Sequence, residues 1–186
     1  MKSFLARVPI LVWFLVPSIV LIAVGVWFLS KGSGQPAEDS PNPAAVSKPV
    51  LGTQEFAIVG REHIPAGTSG TGYNSNPPAS GPHWANPAKN GVYDKPLADE
   101  QIIHDLEHGY VWISFQSGIF QEVKDKLREI VEKDDWKIIL APRDKNDAKI
   151  ALVAWGRLLT LDEPDYDKIR DFIKTYRNRG PEKTPD

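Results

Sequence analysis

Four histidines hold the chemistry open to this 186-residue chain: His63, His83, His104 and His108, with none elsewhere. The last two sit in the string His104-Asp105-Leu106-Glu107-His108-Gly109. Imidazole is a versatile ligand for zinc, copper, iron and nickel ions, so a clustered set points to a metal site. The chain has no cysteine, and its one methionine is Met1. A thiolate or thioether site for Cu(I) is therefore excluded, and imidazole, carboxylate and backbone oxygen remain, donors that suit Zn(II) or Cu(II).

Spacing narrows the site. Asp99 is predicted to cap a short helix through Glu107, with Gly109 as its stop. At about 100° per residue, Ile102, Ile103 and Leu106 share the side that must meet a core. His104 and His108 lie nearly opposite, one turn apart, where two imidazoles can close on one ion. His83 follows Pro77-Pro78-Ala79-Ser80-Gly81-Pro82, an arm whose prolines leave few conformers to lose on ordering. His63 precedes Ile64-Pro65. Laid across the polar side of the helix, the arm brings a third imidazole and, with His63, a fourth. Three histidines with an open position suit an exchangeable or catalytic metal, and four close the shell. The expected ligands are His83, His104 and His108, with His63 as a further candidate.

Two other readings use the same residues. The string fits H-x-x-E-H, the inverted zinc-protease pattern, in which Glu107 would act as general base of a metal-dependent hydrolase. The helix is short for that motif, and no acidic third ligand on a second long helix follows. The order H-E-x-x-H is not met, because Asp105 stands where its glutamate would be. Alternatively, the histidines are structural, hydrogen-bonded to loop backbone, and the aromatic loop bearing Tyr73 and Trp84 docks a protein partner whose identity is open. Trp112 and Trp155 lie in strand runs and are predicted to fill the core. No glycine-rich phosphate loop follows a predicted strand, so no nucleotide or organic cofactor is expected.

The elements that must position these groups begin with a strand at Glu55–Val59. From Arg61 to Pro96 no period is visible, yet Tyr73, Trp84 and Tyr93 can pin such a loop to a core. Tyr110–Phe115 is almost wholly apolar and reads as a central strand covered on both faces. Residues 119–133 place Ile119, Phe120, Val123, Leu127, Ile130 and Val131 on one helical stripe. Trp136–Leu140 and Lys149–Trp155 read as an antiparallel hairpin. A last helix opens at Asp165, with Tyr166, Ile169, Phe172, Ile173 and Tyr176 on one face, and ends at Gly180-Pro181. The fold class is α/β (α+β): one domain with a mixed four- to five-stranded sheet and helices packed on it. This element order is also that of thioredoxin-like domains, an analogy that carries no redox activity without cysteine.

Tyr73-Asn74-Ser75-Asn76-Pro77-Pro78-Ala79-Ser80-Gly81-Pro82-His83-Trp84, Gly91-Val92-Tyr93, the His104–Gly109 string and Ala154-Trp155-Gly156 together resemble the bacterial family called domain of unknown function 3105. The resemblance covers about residues 52–182. It implies an N-terminal membrane anchor and an outer domain, and no particular reaction.

The N-terminal sequence agrees with that implication. Lys2 and Arg7 precede an uncharged apolar run from Val8 to Leu29, long enough at about 1.5 Å per residue to span a hydrocarbon core of about 30 Å. Basic residues before the run outnumber Lys31 just after it, which predicts an N-terminus inside and a C-terminus outside. A cleaved signal peptide has a shorter core and a small-x-small site, absent from Trp27-Phe28-Leu29-Ser30-Lys31. The expected organisation is a cytoplasmic tip (1–7), a transmembrane helix (8–29), a Pro/Gly/Ser-rich linker (30–50), an extracytoplasmic domain (51–182) and a tail (183–186). Beyond residue 31 there are 19 basic and 24 acidic residues, a formal charge of −5, which argues against a nucleic-acid partner and leaves the lipid bilayer as the expected contact of 8–29.

Overall fold

The computed structural model describes residues 48–185, and the expected span at 8–29, with most of the 30–50 linker, lies outside them. Among the described residues no helix is long and apolar enough to cross a membrane. The elements run β1 (Gln54–Glu55), β2 (His63–Ile64), β3 (His83–Trp84), β4 (Gly91–Val92), α1 (Asp99–Glu107), β5 (Val111–Phe115), α2 (Gln121–Lys133), β6 (Ile138–Pro142), β7 (Ile150–Ala154), β8 (Arg157–Leu161) and α3 (Tyr166–Tyr176). Six strands form one mixed sheet in the order β1-β8-β7-β5-β6-β4, and β2 pairs with β3 in a separate ribbon.

The sheet therefore has six strands rather than four or five. The strand β4, only two residues long, is too short to show a period, and β8 was hidden behind the Trp155-Gly156 turn. Every residue of β5 is buried, with β6 parallel on one side and β7 antiparallel on the other. Strand alternation divides its side chains between two cores. Val111, Ile113 and Phe115 join Leu127 and Val131 of α2 and Ile169 and Phe172 of α3. Trp112, with Ile139 and Val153, faces Ile102, Ile103 and Leu106 of α1 and Ala79 of the proline arm. Cover on both faces is what makes these strands read as near-continuous apolar runs.

The expected hairpin of residues 136–140 and 149–155 does not form, because β5 lies between β6 and β7. Residues 143–149 instead pass the end of β5, where Arg143 N–H donates to Phe115 O at 2.7 Å and Gln116 N–H to Lys149 O at 2.9 Å. The hairpin partner of β7 is β8, closed by Trp155-Gly156 with Gly156 at φ +66°, a backbone state that glycine adopts without Cβ strain. Lys137 at φ +52° stops β6 from reaching back to Trp136.

Helix ends also shift. Phe120 is not on the buried stripe of α2 but at its N-cap, 81% exposed. The N-cap of α1 is Ala98, without a side-chain cap bond, and Asp99 is turned to Arg143 instead. Asp165 caps α3 as expected, accepting the Lys168 N–H at 3.0 Å. Asp165→Ala should cost about 1 kcal/mol and lower Tm by about 3–5 °C. An unchanged thermal melt would show the cap to be dispensable.

Candidate metal centre

The stretch Arg61–Trp84 has little regular structure, yet it is tightly located. His63 stands opposite His83 in the parallel β2–β3 register, so both imidazoles leave the same face of the ribbon, with ring centroids 5.0 Å apart. Pro77 through Gly81 are all buried. Tyr73 Oη–H donates to Pro82 O, and Trp84 Nε1–H to Thr68 O, each at 2.8 Å.

Carboxylates of α1 fasten the loop over the helix. Glu100 Oε1 accepts the Gly70 N–H and Asp105 Oδ2 accepts the Ala88 N–H, each at 2.8 Å. Arg143, at the end of β6, grips both parts: its Nε and Nη2 donate to the two oxygens of Asp99 at 2.8 Å each, and Nη1 donates to Asn76 Oδ1 at 2.7 Å. The side of α1 expected to be wet is consequently covered. His104 is 6% exposed and Glu107 2%.

This arrangement gathers three of the four histidines. One ring nitrogen from each of His63, His83 and His104 lies within 4.8 Å of the others. His63 stacks on His104 with centroids 5.1 Å apart, and His83 meets His104 edge-on at the same distance. Nitrogens sharing one tetrahedral ion at about 2.0–2.1 Å stand about 3.4 Å apart. The rings need close by little more than an ångström.

His108 is not in the trio. It is the C-cap of α1, at φ −78° and ψ 4°, where the chain has left helical geometry and the i,i+4 relation to His104 no longer fixes direction. Its ring lies 4.5 Å from that of His104, but its Nε2 turns to Glu182 Oε2 at 3.4 Å. Of the expected ligands, His83 and His104 thus converge with His63, the further candidate, while His108 lies beside the group.

Hydrogen bonds fix the chemistry of two rings. His83 Nδ1 lies 2.8 Å from Gly81 O, and His104 Nδ1 lies 2.7 Å from Trp84 O. A carbonyl oxygen only accepts, so both Nδ1 atoms carry the proton. A neutral ring then presents its Nε2 lone pair, the tautomer a metal requires. Burial, joined by the neighbouring imidazoles, lowers the pKa of His104 against the bond to Trp84. Burial also disfavours charge on His83, but Glu107 and the bond to Gly81 outweigh it and raise the pKa.

Arg61 and Glu182 complete the surroundings, and sequence reasoning missed both. Arg61 Nε donates to Glu107 Oε1, and its Nη2 donates to Glu182 Oε1 at 2.8 Å. Glu107 Oε2 lies 3.2 Å from His83 Nε2. Burial raises the Glu107 pKa, but His83 and Arg61 together hold it at about 2. The one available signal for Arg61 was its place two residues before His63, a spacing that puts side chains on one side of an extended chain. Glu182 lies far away in sequence and carried no signal.

A family described as Protein of unknown function (DUF3105) has a model that matches residues 63–186. No curated protein and no solved structure matches the chain.

Proposed function

This chain belongs to that family of DUF3105 proteins, and, from its converging imidazoles, we propose that it binds a divalent transition metal, Zn(II) or Cu(II), through His63, His83 and His104. In this reading it is a membrane-anchored, extracytoplasmic metal-binding or metal-handling module. One observation carries the metal assignment: His83 and His104 both spend Nδ1–H on backbone carbonyls beside a third imidazole. Such outer-shell bonds orient metal-ligating histidines and fix their tautomer. His63 is exposed while His83 and His104 are buried, so an ion can enter from the His63 side and exchange. The outer location rests on the apolar run 8–29 with its basic flank. The strand order β6-β5-β7-β8, with β5 parallel to β6 and β7 antiparallel to both β5 and β8, supports a thioredoxin-like reading of the sheet, without redox chemistry.

A hydrolase would need Glu107 as a base. A carboxyl held at about 2 by Arg61 and His83 has little basicity to offer near neutral pH. The metal-binding reading is therefore favoured over hydrolysis.

The test is elemental analysis of the full chain, purified in detergent without a polyhistidine tag after exposure to Zn(II). Wild type should hold about one ion per chain, His83→Ala/His104→Ala none, and His108→Ala about as much as wild type. Equal metal in wild type and the double variant would sink the assignment.

A further inference from the structure

Three imidazoles do not account for Glu107. This carboxylate is 2% exposed at the last residue of α1, three positions after His104 and so on the same side of the helix. Arg61 Nε takes one of its oxygens. The other, Oε2, faces His83 Nε2 at 3.2 Å, in a place where His83 is 0% exposed.

That contact is not a hydrogen bond of good geometry. His83 Nδ1–H is already given to Gly81 O, so a neutral ring turns a bare lone pair on Nε2 toward the carboxylate. Nε2 is buried and makes no hydrogen bond of good geometry to the oxygen 3.2 Å away. Two electron-rich atoms held this way repel unless a positive charge lies between them, either a second proton on His83, which Glu107 favours, or a metal ion. Donors on one tetrahedral ion, with bonds of about 2.0–2.1 Å, are separated by about 3.4 Å. The observed 3.2 Å is close to the spacing of two ligands of one ion.

We propose that Glu107 is the fourth metal ligand, binding through Oε2 and closing a shell of His63, His83, His104 and Glu107. This rests on the three-histidine reading above and adds to it the coordination number and the class of ion. Glu107 is not grouped with the three imidazoles at 4.8 Å, so closing the shell requires its oxygen to move toward His63 and His104 as the rings draw in. Arg61 keeps Oε1 occupied, which leaves Oε2 to bind as a single donor. A coordinating carboxylate is no longer a base, and three nitrogens with one anionic oxygen suit a borderline divalent ion such as Zn(II). No position is then left for an activated water, as befits a holding site.

The experiment loads the full chain, in detergent and without a histidine tag, with Co(II). Visible absorption of Co(II) reports coordination number, and azide reports an open position by shifting that absorption. Wild type should give the intense spectrum of a four-coordinate ion, unmoved by azide. Glu107→Gln should bind Co(II) at least about 10-fold more weakly and give a spectrum that azide shifts. A wild-type spectrum that azide shifts would overturn the proposal while leaving the three-histidine site intact, and this readout stands even if the variant does not fold. A Glu107→Gln spectrum and affinity equal to those of wild type would overturn it too. Wild type that takes up no Co(II), together with no Zn(II) by elemental analysis, would remove the underlying site and this ligand with it.

Discussion

Arg143→Met is expected to lower the stability of the domain by about 2–3 kcal/mol, the cost of charge-assisted hydrogen bonds from a buried guanidinium to a partly exposed carboxylate. Arg143 is 8% exposed and its side chain meets three partners at once. Its fork binds both oxygens of Asp99 at 2.8 Å, and Nη1 reaches Asn76 Oδ1 at 2.7 Å and Asn146 Oδ1 at 3.0 Å. Its guanidinium also lies 6.0 Å from the centre of the Trp112 ring. Methionine keeps much of the apolar stem and isolates the loss to the charged fork. Because Asp99 opens α1 and Asn76 begins the proline arm, the same change should loosen His104 relative to His83 and weaken Zn(II) binding. Chemical denaturation reads the first effect, and a Zn(II) titration of the folded variant reads the second. Adding Asp99→Asn should recover part of the lost stability, since much of the cost is the uncompensated carboxylate. A denaturation midpoint within error of wild type would show that the fork does not anchor the helix.

How much of this arrangement the sequence revealed depended on the range of the interaction. Local periodicity located β5, α2 and α3, because a buried face repeats every two or 3.6 residues whatever it packs against. It also implied that a stiff arm crosses α1, since Pro77-Pro78 and Pro82 limit the chain while Tyr73 and Trp84 need burial. What it could not show was which strand lies beside which. The runs that form β6 and β7 look alike as a hairpin or as strands separated by β5, and periodicity does not distinguish the two. That His63 rather than His108 converges with the other two was hidden for a related reason. Ideal helical spacing favours His108, but α1 ends at Glu107, while the His63–His83 register is a pairing of two residues in each strand, beneath any periodic signal. Glu107 was noticed for its motif, whereas its position against His83 and Arg61 needed the loop in place.

Gly180→Ala should be among the most damaging single-methyl changes in the chain. A Cβ there would come within 2.1 Å of Glu107 O and 2.3 Å of Gly109 N, both backbone atoms that cannot rotate aside. The segment is laced to the end of α1 on either side of this glycine: Asn178 N–H donates to Gly109 O at 2.7 Å, and Glu182 N–H donates to Glu107 O at 3.1 Å. Beyond it, Lys137 Nζ donates to Thr184 O at 3.0 Å. An added methyl must push the segment off or distort the last turn of the helix. Overpacking costs about 1–3 kcal/mol, and two lost backbone bonds add about 1 kcal/mol each, for a total of about 3–5 kcal/mol. At about 2–6 °C per kcal/mol for a domain of this size, Tm should fall by roughly 10–20 °C. Because the disturbed atoms belong to Glu107 and its neighbours, Zn(II) affinity should fall as well. Gly118→Ala is the control, since a Cβ there meets nothing within 4 Å, and it should leave both Tm and affinity unchanged. Equal melting of the two variants would mean that the segment after α3 yields freely, and that the end of α1 holds the site without it.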